Sequence, residues 1–287
     1  MSKNLLLPIL FFSAFQLSVA QTEPYKIFDS KGKEVTFENI VKDSKKSEVI
    51  FFGELHNNSI AHWLQLQLLK NLHVNGNKVI LAGEFFERDD QMNIDEWFDG
   101  KLTDKNFEAE AKLWNNYQVD YKPMMLYAKK NNIPFVASNV PRKYASMVSR
   151  KGLSVLDSIS DEAKKSIATL PIEVDKTLPG YVGMKDMMHG SGMNAEFMVE
   201  AQALKDATMA YSLFDYLEKG NSILHINGSY HSNNYEGIIW YVQRTYSKTK
   251  IMTISTVEQE SIQELEDKSK GIADYIIVLP TDSPKSY

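Results

Sequence analysis

Short apolar runs that end in glycine constrain this chain more than any other feature. Val49-Ile50-Phe51-Phe52 runs into Gly53, and Val79-Ile80-Leu81-Ala82 runs into Gly83. A strand wetted on one face alternates apolar with polar residues, so uninterrupted runs of this length read as strands buried on both faces, the habit of parallel sheets. Between them, Ile60 to Leu72 carries apolar residues at helical spacing, with Asn58 or Ser59 as the N-cap. The strand, helix, strand unit has the length of a right-handed crossover.

The alternation continues downstream. Asp89 to Phe98, Asn106 to Trp114 and Tyr121 to Asn131 read as helices, Ile133 to Ser138 as a strand, and Pro141 as the first residue of another helix. Asn194 to Lys219 is the longest periodic helix and leads to a strand at Asn221 to Ile226. Two further helix and strand pairs follow, with strands near Lys250 to Ser255 and Tyr275 to Leu279. The fold class expected is α/β: a single domain with a mainly parallel β-sheet flanked by helices, its ligands bound beyond the carboxyl ends of the strands.

The ends of the chain read differently. Lys3, the apolar run Leu5 to Val19 and the small-x-small ending Ser18-Val19-Ala20 make residues 1–20 a signal peptide, cleaved after Ala20. The run is shorter than the roughly twenty residues a membrane span needs and contains Pro8. The domain is then expected over residues 21–280, with 281–287 as a flexible tail. With no cysteine in the chain, the protein is expected to be soluble after cleavage, periplasmic or secreted, without disulfides and without the lipidated cysteine of a bacterial lipoprotein. The formal charge is −5 and no basic stripe interleaves with aromatics, which argues against a nucleic-acid partner. Lys42 to Glu48 is a polar stretch ahead of the first core strand.

The chemistry is concentrated in a pattern that occurs twice, Gly53-Glu54-Leu55-His56 and Gly228-Ser229-Tyr230-His231, each after an apolar strand. Glu84 and Glu87 end the second strand, and Asn139 and Arg142 follow the one at Ile133 to Ser138. Four converging ionisable groups, Glu54, His56, Glu84 and His231, are costly at a sheet edge unless used. Two imidazoles with carboxylates can hold a divalent metal through His56, Glu84 and His231. They can equally form a metal-free acid and base pair. His225 lies inside a strand and reads as a hydrogen-bonded core histidine, whereas His62 and His73 read as surface groups. The loop from Leu178 to Met193 holds four glycines and four methionines, which suggests a mobile segment with an adaptable apolar surface. His189 and Tyr181 in it could ligate a haem iron. The chain contains no Gly-x-Ser-x-Gly elbow, Walker loop, Gly-x-Gly-x-x-Gly or His-Glu-x-x-His motif.

Taken as blocks, Phe52-Gly53-Glu54-Leu55-His56-Asn57-Asn58, Gly83-Glu84-Phe85-Phe86-Glu87-Arg88-Asp89-Asp90-Gln91, the stretch Ala203 to Ala210 and Gly228 to His231 resemble the ChaN-type haem-binding family. Tyr121-Lys122-Pro123 and Ser138-Asn139-Val140-Pro141-Arg142 fit as well, so the resemblance runs from Tyr25 to Val257. It implies one α/β domain, haem binding connected with iron uptake, a homodimer that sandwiches haem, and outer-membrane haem-uptake components as partners. It also implies membership of the wider group of Tiki, TraB and erythromycin esterase-like proteins. In that group paired Gly-x-x-His motifs and a glutamate are associated with metal-dependent peptide cleavage or other hydrolysis. The absence of cysteine departs from the many lipoproteins of the ChaN type. Because the shared motifs do not fix the haem ligand, Tyr181 and His189 on the iron, and Arg142 or Lys185 on the propionates, are assignments from chemistry. Two readings therefore stand: a haem-binding protein, or a metal-dependent hydrolase in which Glu54 is the base on a bound water.

Overall fold

The computed structural model describes residues 23–74, 76, 78–188, 192 and 194–287. The expected signal peptide, its cleavage site and His189 lie outside the described residues. In chain order the elements are β1 (Lys26–Asp29), β2 (Glu34–Val35), α1 (Phe37–Ser44), β3 (Val49–Glu54), α2 (Ser59–Val74), β4 (Val79–Glu87), α3 (Gln91–Phe98), α4 (Asp104–Glu110) and α5 (Lys122–Lys130). They continue with β5 (Phe135–Asn139), α6 (Arg142–Lys151), α7 (Asp161–Lys164), α8 (Pro179–Met187), α9 (Ala195–Glu218), β6 (Ser222–Gly228), α10 (Ile238–Thr245), β7 (Ile251–Gln259) and β8 (Tyr275–Pro280).

The strands form one eight-stranded sheet in the order β2-β1-β8-β7-β3-β6-β4-β5. All pairings are parallel except those of β1 with β2 and with β8. Every residue of β3 and β4 is buried, which explains why their sequences do not alternate. The period of two instead sorts the apolar side chains between two cores. Ile50, Phe52 and Leu81 pack with Leu64 and Leu68 of α2 and Met124 of α5. Val49, Phe51, Ile80 and Ala82 pack with Met209 and Leu213 of α9 and Ile239 and Val242 of α10. Helices thus cover both faces, and the sheet edge at the strand carboxyl ends is left for function. Asn58 caps α2, its Oδ1 accepting from the backbone N–H of Ile60 at 3.1 Å and of Ala61 at 3.2 Å.

Several expectations require correction. No strand is expected ahead of Val49, yet β1 and β2 form a hairpin that adds an antiparallel edge, turning at Gly32, whose φ of +85° suits glycine. The glycine-rich segment is helical over Pro179–Met187, because Pro179 starts the helix and Tyr181 anchors it in a pocket with Val199 and Ala203. α4 stops at Glu110, short of Trp114, and a π-turn at Tyr117–Tyr121 precedes α5. Between β7 and β8 there is a single 3-10 turn, Asp267–Ser269, in place of the helix expected there. The tail is tied back, with Asn58 Nδ2 donating to Ser283 Oγ at 2.6 Å and Ser286 N–H donating to the Asn57 carbonyl at 2.9 Å. Among the described residues no helix is long and apolar enough to cross a membrane.

Candidate functional site

β6 lies between β3 and β4, and its register sets Gly53 opposite Asn227 and Glu54 opposite Gly228. The two Gly-x-x-His segments are therefore neighbours, and each glycine makes room for the other motif. A Cβ on Gly53 would come within 2.8 Å of Ser229 Cα, and one on Gly228 within 2.8 Å of the His56 ring. Both contacts are closer than carbon atoms tolerate, so the pattern is a packing requirement before it is a chemical one.

Glu54 shares the parity of Phe52 and so faces α2. Its Oε1 accepts from His56 Nδ1 at 2.9 Å and from the Tyr121 hydroxyl, and its Oε2 accepts from Gln65 Nε2 at 2.6 Å. His62 Nδ1 stands 3.4 Å from the same oxygen, while its Nε2 donates to the His56 carbonyl at 3.0 Å. Asn116 Nδ2 donates to that carbonyl too, at 2.7 Å. His62, expected on the surface, is thus buried and clamps both residues. Burial alone would raise the Glu54 carboxyl, but His62 and His56 beside it hold it below the usual range. Burial would lower His56, and the Glu54 hydrogen bond with the nearby Glu84 charge outweighs it, raising the imidazole. The His56 side chain remains 38 % exposed, and its Nε2 has no hydrogen bond from a described residue.

Glu84 has the parity of Ile80 and Ala82 and so faces α9. Its Oε2 accepts the Gly228 N–H at 2.8 Å and its Oε1 lies 3.2 Å from His231 Nε2. His231 Nδ1 lies 2.5 Å from Asp206 Oδ1, and Asp206 Oδ2 accepts the Tyr181 hydroxyl at 2.8 Å. Burial by itself would lower His231, but the two carboxylates push it up to about 10. The same imidazolium overcomes burial at Glu84 and holds that carboxyl far down. His231 is consequently held as a buried cation between two carboxylates, Nε2 towards Glu84 and Nδ1 towards Asp206.

This arrangement corrects the metal-centre expectation. Among the described residues no group of three or more His, Asp or Glu side chains is placed to hold a metal ion. His56 and Glu84 are near one another across Gly228, but the histidine meant to complete the set is taken by Asp206. Of the haem-side assignments, Arg142 Nε donates to Glu87 Oε1 at 2.5 Å and Lys185 Nζ pairs with Glu196 at 2.6 Å. The Tyr181 hydroxyl is buried and bound to Asp206, and burial raises it far above its ordinary value. His225 is the core histidine expected, between Ser138 Oγ at 2.9 Å and Asn227 Oδ1 at 3.0 Å, and burial lowers it to about 4.

Beside this edge opens a cleft of about 400 Å³, lined in part by Glu84, Trp114, Asn139, Val140, Arg142, Met198 and Lys205. The buried Oδ1 of Asn139 has no hydrogen-bond partner. Trp114 connects the cleft to His56, the two rings meeting edge to face at 5.0 Å. A second cleft of about 280 Å³ between α9 and α10, lined in part by Tyr211, Phe214, Trp240 and Tyr241, shares no residue with the charged edge.

Gln65 and Lys205 carry no role in the sequence reading, and Asp206 and Tyr121 enter it only within the blocks that resemble the ChaN-type family. A signal existed for Asp206, a lone acid on the α9 face that buries Ala203, Ala207 and Ala210. Tyr121 is marked only by the block Tyr121-Lys122-Pro123, and Gln65 carries no signal, since it reads as an ordinary helix residue.

No curated protein matches the chain. Among solved structures, ChaN of Campylobacter jejuni, described for cofacial haem binding, aligns with a TM-score of 0.67 at 20% identity, covering 89% of this chain and 96% of that one. A succinoglycan biosynthesis protein aligns with a TM-score of 0.52 at 11% identity, covering 87% and 91%. An erythromycin esterase variant in its open conformation aligns with a TM-score of 0.46 at 9% identity, covering 86% and 79%. At these identities the first two establish the likeness of fold. The family model described as haem-binding uptake, Tiki superfamily, ChaN matches residues 40–242, a span that contains Glu54, Glu84, Asp206 and His231. On that match over more than half its length, the chain belongs to the ChaN haem-binding family of the Tiki superfamily.

Proposed function

We propose that the protein binds haem at the carboxyl edge of its sheet and serves haem and iron acquisition outside the cytoplasm. The observation that carries the reading is the family match over residues 40–242. The cleft suits such a ligand: Trp114, Val140 and Met198 supply apolar walls, Arg142 and Lys205 supply cations for carboxylates, and the volume of about 400 Å³ lies within the range of small-molecule sites. For the iron, the charged edge offers His56 alone among its described histidines, since His231 is held by two carboxylates. His189 is the alternative from the segment outside the described residues. Tyr181 would first have to leave Asp206. Haem supplies a redox-active iron; the protein binds it, orients it and shields it from water.

Addition of haemin to the purified protein should produce a shifted Soret band that saturates at a fixed ratio to the chain. Persistence of the free haemin spectrum at micromolar concentration defeats the proposal. Export rests on residues 1–20, and intact mass of the secreted form should show a chain beginning at Gln21. A homodimer around haem predicts a doubling of the solution mass on haemin addition.

A second reading, hydrolysis without a metal, is favoured by one observation. His56 is oriented by the buried Glu54 and lies next to the charged His231 pair. His56 would take a proton from water, with Glu54 on its Nδ1 holding the imidazolium that forms. Release of nitrophenol from nitrophenyl esters, lost in His56→Ala, supports it; rates equal to buffer alone remove it.

A further inference from the structure

We infer that Lys205 is a specificity-determining residue that pairs with a carboxylate of the bound ligand, across the cleft from Arg142. The inference rests on the haem reading of the same cleft and adds to it the feature selected: a flat apolar molecule bearing two carboxylates.

Lys205 sits on α9 between the buried Leu204 and the buried Asp206, is itself half-buried, and lines the cleft. Its ammonium has no ion pair or hydrogen bond among the described residues. By contrast Lys112 is within 3.0 Å of Glu87 and 2.7 Å of Asp89, Lys176 within 2.8 Å of Glu200, and Lys185 within 2.6 Å of Glu196. The two carboxylates in the cleft are already neutralised, Glu84 by His231 and the Gly228 N–H, and Glu87 by Arg142 and Lys112. An ammonium on the wall of the cleft with no described counter-ion is placed to gain from an arriving carboxylate.

Arg142 is the second cation of the pair. It engages Glu87 through Nε, which leaves both terminal nitrogens of a 69% exposed guanidinium to receive a carboxylate. Arg142 comes from the start of α6 and Lys205 from the middle of α9, so the two charges approach the cleft from different helices. Trp114, Val140 and Met198 line it as well, together with the small side chains of Ala145 and Ala201. Two cations at an apolar slot match a ligand with an apolar body and two anionic arms.

The test compares haemin with haemin dimethyl ester, in which the carboxylates are masked, on the wild-type protein, Lys205→Gln and Lys205→Arg. Glutamine and arginine both favour helices, so α9 is preserved, and thermal melts confirm it. Lys205→Gln should weaken haemin about fivefold and leave the ester unchanged, with Lys205→Arg restoring the wild-type affinity. Equal affinity of wild type and Lys205→Gln for haemin, or equal weakening of haemin and ester, overturns the inference while the haem reading stands. Absence of a Soret shift with either ligand on the wild type overturns both.

Discussion

Replacing Asp206 with asparagine probes the clamp on His231 without changing side-chain shape. In the fold His231 titrates at about 10, against about 6.5 in an unfolded chain, and that gap corresponds to ~5 kcal/mol of favourable linkage. Since the folded value is raised, the stabilisation is complete below about pH 6.5 and is lost as pH climbs through about 10. Two carboxylates share it, and Asp206 is the nearer at 2.5 Å against 3.2 Å for Glu84. Asp206→Asn should therefore cost ~2 kcal/mol at pH 6. The asparagine oxygen can still accept the Tyr181 hydroxyl, so that bond is not the source of the loss. Urea unfolding of both proteins at pH 6 and at pH 10, with m unchanged, reads the difference directly. The cost should shrink toward zero at pH 10, where His231 is losing its proton and a buried Asp206 has no cation to face. A loss of equal size at both pH values would refute the view of His231 as a clamped imidazolium.

Other substitutions test the remaining joints. Gly228→Ala forces a methyl group to within 2.8 Å of the His56 ring, so it should cost about 1 to 3 kcal/mol in stability and weaken haemin binding. Tyr121→Phe removes a hydroxyl donor from the buried Glu54 and should cost about 1 to 3 kcal/mol by chemical denaturation. Asn58→Ala strips the cap from α2 and the bond to Ser283; about 1 kcal/mol is expected, with faster proteolysis of the last residues.

Much of the fold is legible in the chain because buried parallel strands write themselves as unbroken apolar runs. β3, β4 and β6 were readable in this way, and with them the convergence of Glu54, Glu84 and His231 at one edge. The 24-residue α9 was legible from its periodicity. The β1–β2 hairpin was not, since strands of four and two residues are too short for any period to show. The helix over Pro179–Met187 was obscured by glycine composition, which says what the backbone can do and not what packing selects. His62 was misplaced for a related reason: helical spacing shows which face is apolar, but not that a polar residue on it meets Glu54 from another element. The metal expectation finds no support, because among the described residues no three ligand side chains come together and His231 lies between Asp206 and Glu84.

The proposed haem site is the cleft beside Trp114, apart from the aromatic cleft that Trp240 lines. The most direct measurement is a Soret-monitored haemin titration of the wild-type protein beside Trp114→Ala and Trp240→Ala. The account predicts saturable binding in the wild type, undisturbed in Trp240→Ala and weakened about tenfold in Trp114→Ala, the loss of one aromatic wall. An unshifted haemin spectrum in the wild type, or a loss that follows Trp240 instead of Trp114, would contradict it.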